Sequence, residues 1–152
     1  MRRQDKYPDT AIFKYENLNP HKRITGDCVV RAIAKAIEPE IKKLHLSRGK
    51  VDPWKYVLIK MADYSAQTGY MISDTKCYKR FLPNNGFVKH DQPRHADGTK
   101  LTLREFIETH PKGTYLVNMA NHLTVVIDGV NYDIWDCTKT DRRVGMYWEK
   151  NV

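Results

Sequence analysis

An α+β domain is predicted by three features of the sequence. Helix signals, in apolar spacing, caps and helix formers, mark segments between residues 28 and 109, and the last third switches to alternating runs rich in β-branched and aromatic residues. Between two of those runs lies Asp128-Gly129, a strong hairpin signal. Helices that come before a sheet, instead of alternating with its strands, give N-terminal helices packed on a C-terminal antiparallel sheet. The chain has 152 residues, enough for one domain with one core, so residues 1–152 are expected to fold as a single unit.

The elements follow in order. Residues 1–24 mix Pro8, Asn17, Asn19 and Pro20 with charge and read as an irregular arm. In CVVRAIAKAI, residues 28–37, Val29, Val30, Ile33 and Ile37 keep helical spacing, and three alanines favour helix. Asp27 stands before it as an N-cap, which puts Cys28 in the first turn. A second helix is expected over residues 53–66, capped by Asp52 and opened by Pro53, whose missing N–H is harmless there. A third spans residues 75–82 and stops at Pro83-Asn84-Asn85-Gly86. A fourth covers residues 102–109, with Thr102 and Glu105 as a capping box. Strands are expected at residues 114–118, 122–127, 130–135 and 144–148.

Composition narrows the function. Apolar residues at 41% and charged residues at 29% are ordinary for a globular protein. No apolar run approaches the roughly 20 residues that span a bilayer, and the charged start lacks a secretion signal, so the cytoplasm is expected and no membrane partner. Cys28, Cys77 and Cys137 form no CxxC pair, and the six histidines include no HExxH, so no metal and no cofactor are expected. Residues 1–60 hold 14 Lys/Arg against 7 Asp/Glu, whereas residues 61–152 hold 12 against 11. That basic front half suits a solvated surface or an acidic or nucleic-acid partner.

Chemistry concentrates on few residues. A thiol in the first turn of a helix meets unpaired amides and the positive end of the dipole, both of which favour the reactive thiolate. The same amides can receive an oxyanion formed by attack on a carbonyl. Cys28 holds that position, although a lone cysteine is also a common small core residue. A thiolate nucleophile needs a proton carrier, and His122 opens the apolar run HLTVVI. That carrier needs an orienting group, and the hairpin brings carboxylates back beside it.

A cysteine at a helix start near the N-terminus, a histidine opening a strand and a polar residue ending the next strand resemble the papain-like cysteine peptidase superfamily. The likeness is to its small bacterial and phage-encoded members more than to papain itself. The matching segments are TGDCVVRAIA, residues 25–34, and NHLTVVIDGVNYDIWD, residues 121–136, while residues 40–110 match no known pattern. The resemblance implies a papain-like fold with Cys28 as nucleophile, His122 as general base and acid, and Asp136 as orienter. It implies a cysteine hydrolase (peptidase, amidase or deconjugase) acting on an amide or acyl bond of a peptide or protein. The family's upstream oxyanion glutamine is missing; Asn19 is the nearest amide replacement and Lys22 an alternative donor. The layout also serves other chemistries. The rival reading is a non-catalytic basic module that binds nucleic acid or a host protein, including a phage-encoded inhibitor.

The third member depends on the turn. A two-residue turn at Asp128-Gly129 puts His122 and Asp133 on one face by parity, whereas a three-residue turn sets His122 opposite Asp136. The family's placement of this residue at the strand end favours Asp136, with Asp133 as the alternative.

Overall fold

The computed structural model describes residues 1–151, apart from the side chains of residues 45–48. It is an α+β fold. In chain order its elements are α1 (Arg3–Lys6), β1 (Phe13–Tyr15), α2 (Cys28–Ala36), α3 (Glu38–Arg48), α4 (Pro53–Thr68) and α5 (Thr75–Phe81). Then come β2 (Phe87–His90), α6 (Leu103–Thr109), β3 (Thr114–Met119), β4 (His122–Ile127), β5 (Val130–Asp133) and β6 (Tyr147–Lys150). No helix among the described residues is long and apolar enough to cross a membrane.

The strands form one six-stranded sheet in the order β1-β5-β4-β3-β6-β2. It is mixed, not antiparallel as expected, because β1 runs parallel to β5. The N-terminal arm therefore also differs from the irregular segment expected for residues 1–24. It supplies the edge strand, with Phe13 fully buried. Without it, two β5 groups would lose their partners: Asn131 N–H donates to the Ile12 carbonyl at 2.8 Å, and the Asp133 carbonyl accepts from Glu16 N–H at 3.0 Å.

Period-2 alternation in the central strands buries both faces of the sheet. On β3 and β4, Leu116, Leu123 and Val125 join the core beneath α2, α4 and α5, together with Trp148 from β6. Tyr115, Val117, Met119 and Val126 join a second core beneath α6, with Phe106 and Leu103. Seven of the nine residues of α2 are buried, so it is the helix sandwiched between α4 and the sheet. The capping box at Thr102 and Glu105 forms, and Asp52 caps α4 through the Lys55 N–H.

Two tight turns fix the register of the central hairpins. Ile127 pairs with Val130, so the turn is the two-residue Asp128-Gly129, with φ of 47° and 78°. Met119 pairs with His122, and Asn121 at φ 53° closes the preceding turn. The strand expected over residues 130–135 ends at Asp133, and the last strand, expected at 144–148, starts three residues later and ends two later, as β6.

Candidate active site

Three element ends meet at one point. Cys28 is the first residue of α2, His122 the first of β4 and Asp133 the last of β5. The His122 ring, 8% exposed, shares a proton with Asp133 between Nε2 and Oδ2 at 2.7 Å. Nδ1 is thereby left as the ring nitrogen for the thiol, and His122 lowers the pKa of Cys28.

Asp133 is 3% exposed and every lone pair has use. Its Oδ2 also accepts from Thr124 Oγ1 at 2.6 Å, and Cys137 Sγ lies 3.4 Å away. Its Oδ1 accepts from the Ile134 N–H at 2.7 Å and from Arg31 Nη1 at 3.0 Å. Arg31, itself buried, reaches back along α2 to Asp27 Oδ1 at 2.8 Å. The other oxygen of Asp27 accepts from Trp54 Nε1 at 2.9 Å and Asn19 Nδ2 at 3.3 Å. A buried arginine is thus held between two carboxylates, one of which orients the histidine. Burial of each charge is compensated by these bonds.

This arrangement corrects the third residue expected from the strand-end pattern. Asp136 does not touch His122. Its Oδ1 accepts from Thr138 N–H at 2.9 Å and Thr138 Oγ1 at 2.5 Å, capping the short helical turn Cys137–Lys139. The cause is the two-residue turn, which carries Asp133 to the histidine's face. Both oxyanion candidates also stand elsewhere. Asn19 is buried against Asp27, and Lys22 Nζ donates to the Asn17 carbonyl at 2.8 Å. Asp27 occupies the N-cap position of α2, yet its side chain makes no capping bond, because Arg31, Trp54 and Asn19 hold it. The amides of the first turn around Cys28 are left uncapped by any side chain.

The electrostatics follow from these contacts. Burial pushes the Cys28 thiol up, but the His122 hydrogen bond, the Leu123 N–H and the charges of His122 and Arg31 together lower its pKa. Burial works against the imidazolium too, yet the bonds to Asp133 and Cys28 raise His122 to about 9. Asp133 is disfavoured as an anion by burial, and His122, Arg31 and Thr124 nonetheless bring it down to about 2. The shifts favour a thiolate–imidazolium pair beside a permanently ionised carboxylate. Cys77 and Cys137 move the other way, both raised first by burial.

Cys28 and His122 open onto a cavity of about 710 Å³ whose other lining residues include Tyr78, Asn118, Lys100 and Arg143. Asn118 Nδ2 donates to the Tyr78 hydroxyl at 2.8 Å, and that hydroxyl feels the charge of Cys28. Trp135 stands against the His122 ring, 5.1 Å between centroids, and Arg142 lies 5.1 Å over the indole. Sequence reading missed Arg31, whose one available signal was an i,i+4 pairing with Asp27 inside an apolar helix.

His122, Asp133 and Cys137 also form a group with metal-ligating atoms within 4.8 Å of one another. The 2.7 Å between Nε2 and Oδ2 is a hydrogen-bond distance, whereas two such donors on a tetrahedral zinc lie about 3.3 Å apart. The set as folded fits a shared proton, not an ion. No family model, curated protein or solved structure matches this chain.

Proposed function

We propose that this protein is a papain-like cysteine hydrolase that cleaves an amide or related acyl bond with Cys28, His122 and Asp133. The observation that carries the reading is the bridging position of His122, hydrogen-bonded to a buried, ionised carboxylate on one side and acting on a helix-start thiol on the other. A merely structural histidine has no need of a thiol partner whose pKa is lowered in a solvent-open cavity.

The chemistry follows from the geometry. The Cys28 thiolate attacks the carbonyl carbon, a C–S bond forms, and the carbonyl π electrons move to oxygen. The uncapped amides at the start of α2 are suited to receive that oxyanion. Collapse re-forms the carbonyl and breaks the C–N bond, and the His122 imidazolium gives its proton to the departing amine. Water then attacks the thioester carbonyl while His122 takes its proton, the C–S bond breaks, and the acid departs from the regenerated Cys28–His122 pair. Asp133, locked by Arg31 and Thr124, keeps the ring oriented through both half-reactions.

The rival reading, a basic non-catalytic module, draws less support. Arg31, Lys35 and Arg2, three of the cations in the basic first 60 residues, are held in internal ion pairs with Asp27, Glu16 and Asp5. Intact-mass analysis after exposure to iodoacetamide and to a panel of activated acyl esters tests the hydrolase. Cys28 should be alkylated faster than Cys77 or Cys137 at neutral pH, and should carry a transient acyl adduct that His122→Ala abolishes. Equal alkylation of the three thiols would sink the reading.

A further inference from the structure

The cavity that exposes Cys28 has a one-sided charge. Lys100 and Arg143 line it, and no Asp or Glu is among the described residues that do. The two cations come from distant parts of the chain and are brought together by backbone. Thr102 forms an isolated antiparallel bridge with Arg143, and the Val144 N–H donates to the Leu101 carbonyl at 2.8 Å. On its other side the same segment is tied to β3, where the Gly145 N–H donates to the Asn118 carbonyl at 2.7 Å. The cations are thus mounted on a braced strap beside the nucleophile.

Lys100 is uncommitted, and Arg143 is held only in a long, exposed ion pair. Lys100 makes no hydrogen bond or ion pair among the described residues. Arg143 has one acidic neighbour, Glu105, whose Oε1 lies 3.7 Å from Nη1, beyond hydrogen-bond range. That carboxylate is already engaged by the Thr102 N–H at 2.9 Å, Thr102 Oγ1 at 3.0 Å and His95 Nε2 at 2.8 Å. One unpaired and one loosely paired cation in a concave site without an acidic lining residue raise the local potential and attract anions.

We propose that the cleft selects substrates bearing a carboxylate close to the scissile carbonyl, with Lys100 and Arg143 as the residues that recognise it. This specificity rests on the hydrolase reading above. The substrate class is an acidic peptide or an acyl group with a free carboxylate. An arginine presents a planar fork matched to a carboxylate, and the lysine adds a mobile point charge.

Two alkylating reagents separate the proposal from the reading beneath it, because iodoacetate carries a carboxylate and iodoacetamide does not. In each case the Cys28 thiolate forms one C–S bond to the CH2 carbon and iodide leaves, giving a carboxymethyl or a carbamoylmethyl thioether. The rate ratio of iodoacetate to iodoacetamide at Cys28, read by peptide mass mapping, reports anion preference with thiol activation divided out. Lys100→Glu and Arg143→Glu should each lower that ratio roughly fivefold, the size that one half-exposed ion pair supports, and added salt should lower it in the wild type. A ratio that neither substitution moves, with iodoacetamide still reacting fast, would overturn the carboxylate specificity and leave the hydrolase standing. Slow iodoacetamide alkylation of the wild type at neutral pH would remove the hydrolase reading and this inference together.

Discussion

The wall of the cleft that holds Cys28 and His122 and the wall that carries Lys100 and Arg143 are built on opposite principles. Around His122 both carboxylate oxygens of Asp133 and the Nε and Nη1 of Arg31 are engaged in buried bonds, so the geometry is over-determined. On the other wall the backbone is braced, but Lys100 is unpaired among the described residues and Arg143 has only a long, exposed ion pair with Glu105. The difference separates two tasks. Proton transfer needs fixed angles and a fixed charge state, which burial with compensation supplies. Recognition of a charged substrate needs charge that has not already been neutralised.

The largest effect should come from cutting the buried wall. Asp133→Ala leaves Arg31 with one carboxylate in place of two and is expected to cost on the order of 3 kcal/mol of stability. Asp133→Asn keeps the shape and removes the charge; it should remain folded and slow Cys28 alkylation at pH 7 by roughly tenfold or more. Asp136→Asn should cost about 1 kcal/mol through its weakened cap and leave the alkylation rate near the wild type. A larger kinetic loss for the Asp136 variant, measured with iodoacetamide alongside circular dichroism, would break the comparison.

A pH series sharpens it next. His122 is raised in the folded state to about 9, so its contribution to stability is complete below its ordinary value of about 6.5 and is lost as pH climbs through 9. Asp133 is lowered to about 2, so its contribution is complete above about 3.8 and is lost as pH falls through 2. The urea midpoint of wild type minus that of His122→Gln should therefore be widest near pH 5 to 6 and close above 9. Thiol alkylation should rise with a midpoint below the ordinary value of about 8.5, because the Cys28 pKa is lowered. Acyl turnover should decline again near 9, where the imidazolium is lost. An alkylation midpoint at or above 8.5 would show that His122 does not activate the thiol.

How much of this was legible in the sequence depended on whether the controlling interaction was local. Cys28 at a helix start and His122 at a strand start follow from periodicity and turn residues close by. The choice between Asp133 and Asp136 turned on one local fact, the length of the Asp128-Gly129 turn. Parity pointed to Asp133, and the strand-end analogy overrode it. Arg31 was legible only as the i,i+4 partner of Asp27, since its link to Asp133 spans the fold and appears only when the two elements meet. Strands β1 and β2, at three and four residues, are too short for alternation to register, and each is defined by its neighbour. Helix α3 carries charge among its apolar residues without a clear stripe, so the helical pattern broke off at Ile37. Lys100 and Arg143 meet through a single bridge that no periodicity announces.

The smallest expected effect tests whether the two walls are mechanically independent. They share Asn118, whose amide nitrogen supports Tyr78 beside Cys28 and whose carbonyl anchors Gly145 on the strap. A Cβ at position 145 would lie 2.9 Å from Asn118 Oδ1 and 3.3 Å from its backbone carbonyl, so Gly145→Ala must push the two apart by a few tenths of an ångström. Overpacking of this size is expected to cost about 1 kcal/mol, a fall of roughly 2–4 °C in Tm for a chain of this length. The His122–Asp133–Arg31 network does not pass through Asn118, so the iodoacetamide rate at Cys28 should change by less than about twofold, as for sites that share no partners. The iodoacetate rate, which depends on where the strap holds Arg143, should change more. Calorimetry and the paired alkylation rates measure all three quantities on one variant. If the iodoacetamide rate drops as far as it does in Asp133→Asn, the wall that holds Cys28 and His122 is held in place by the strap, and the separation of the two walls fails.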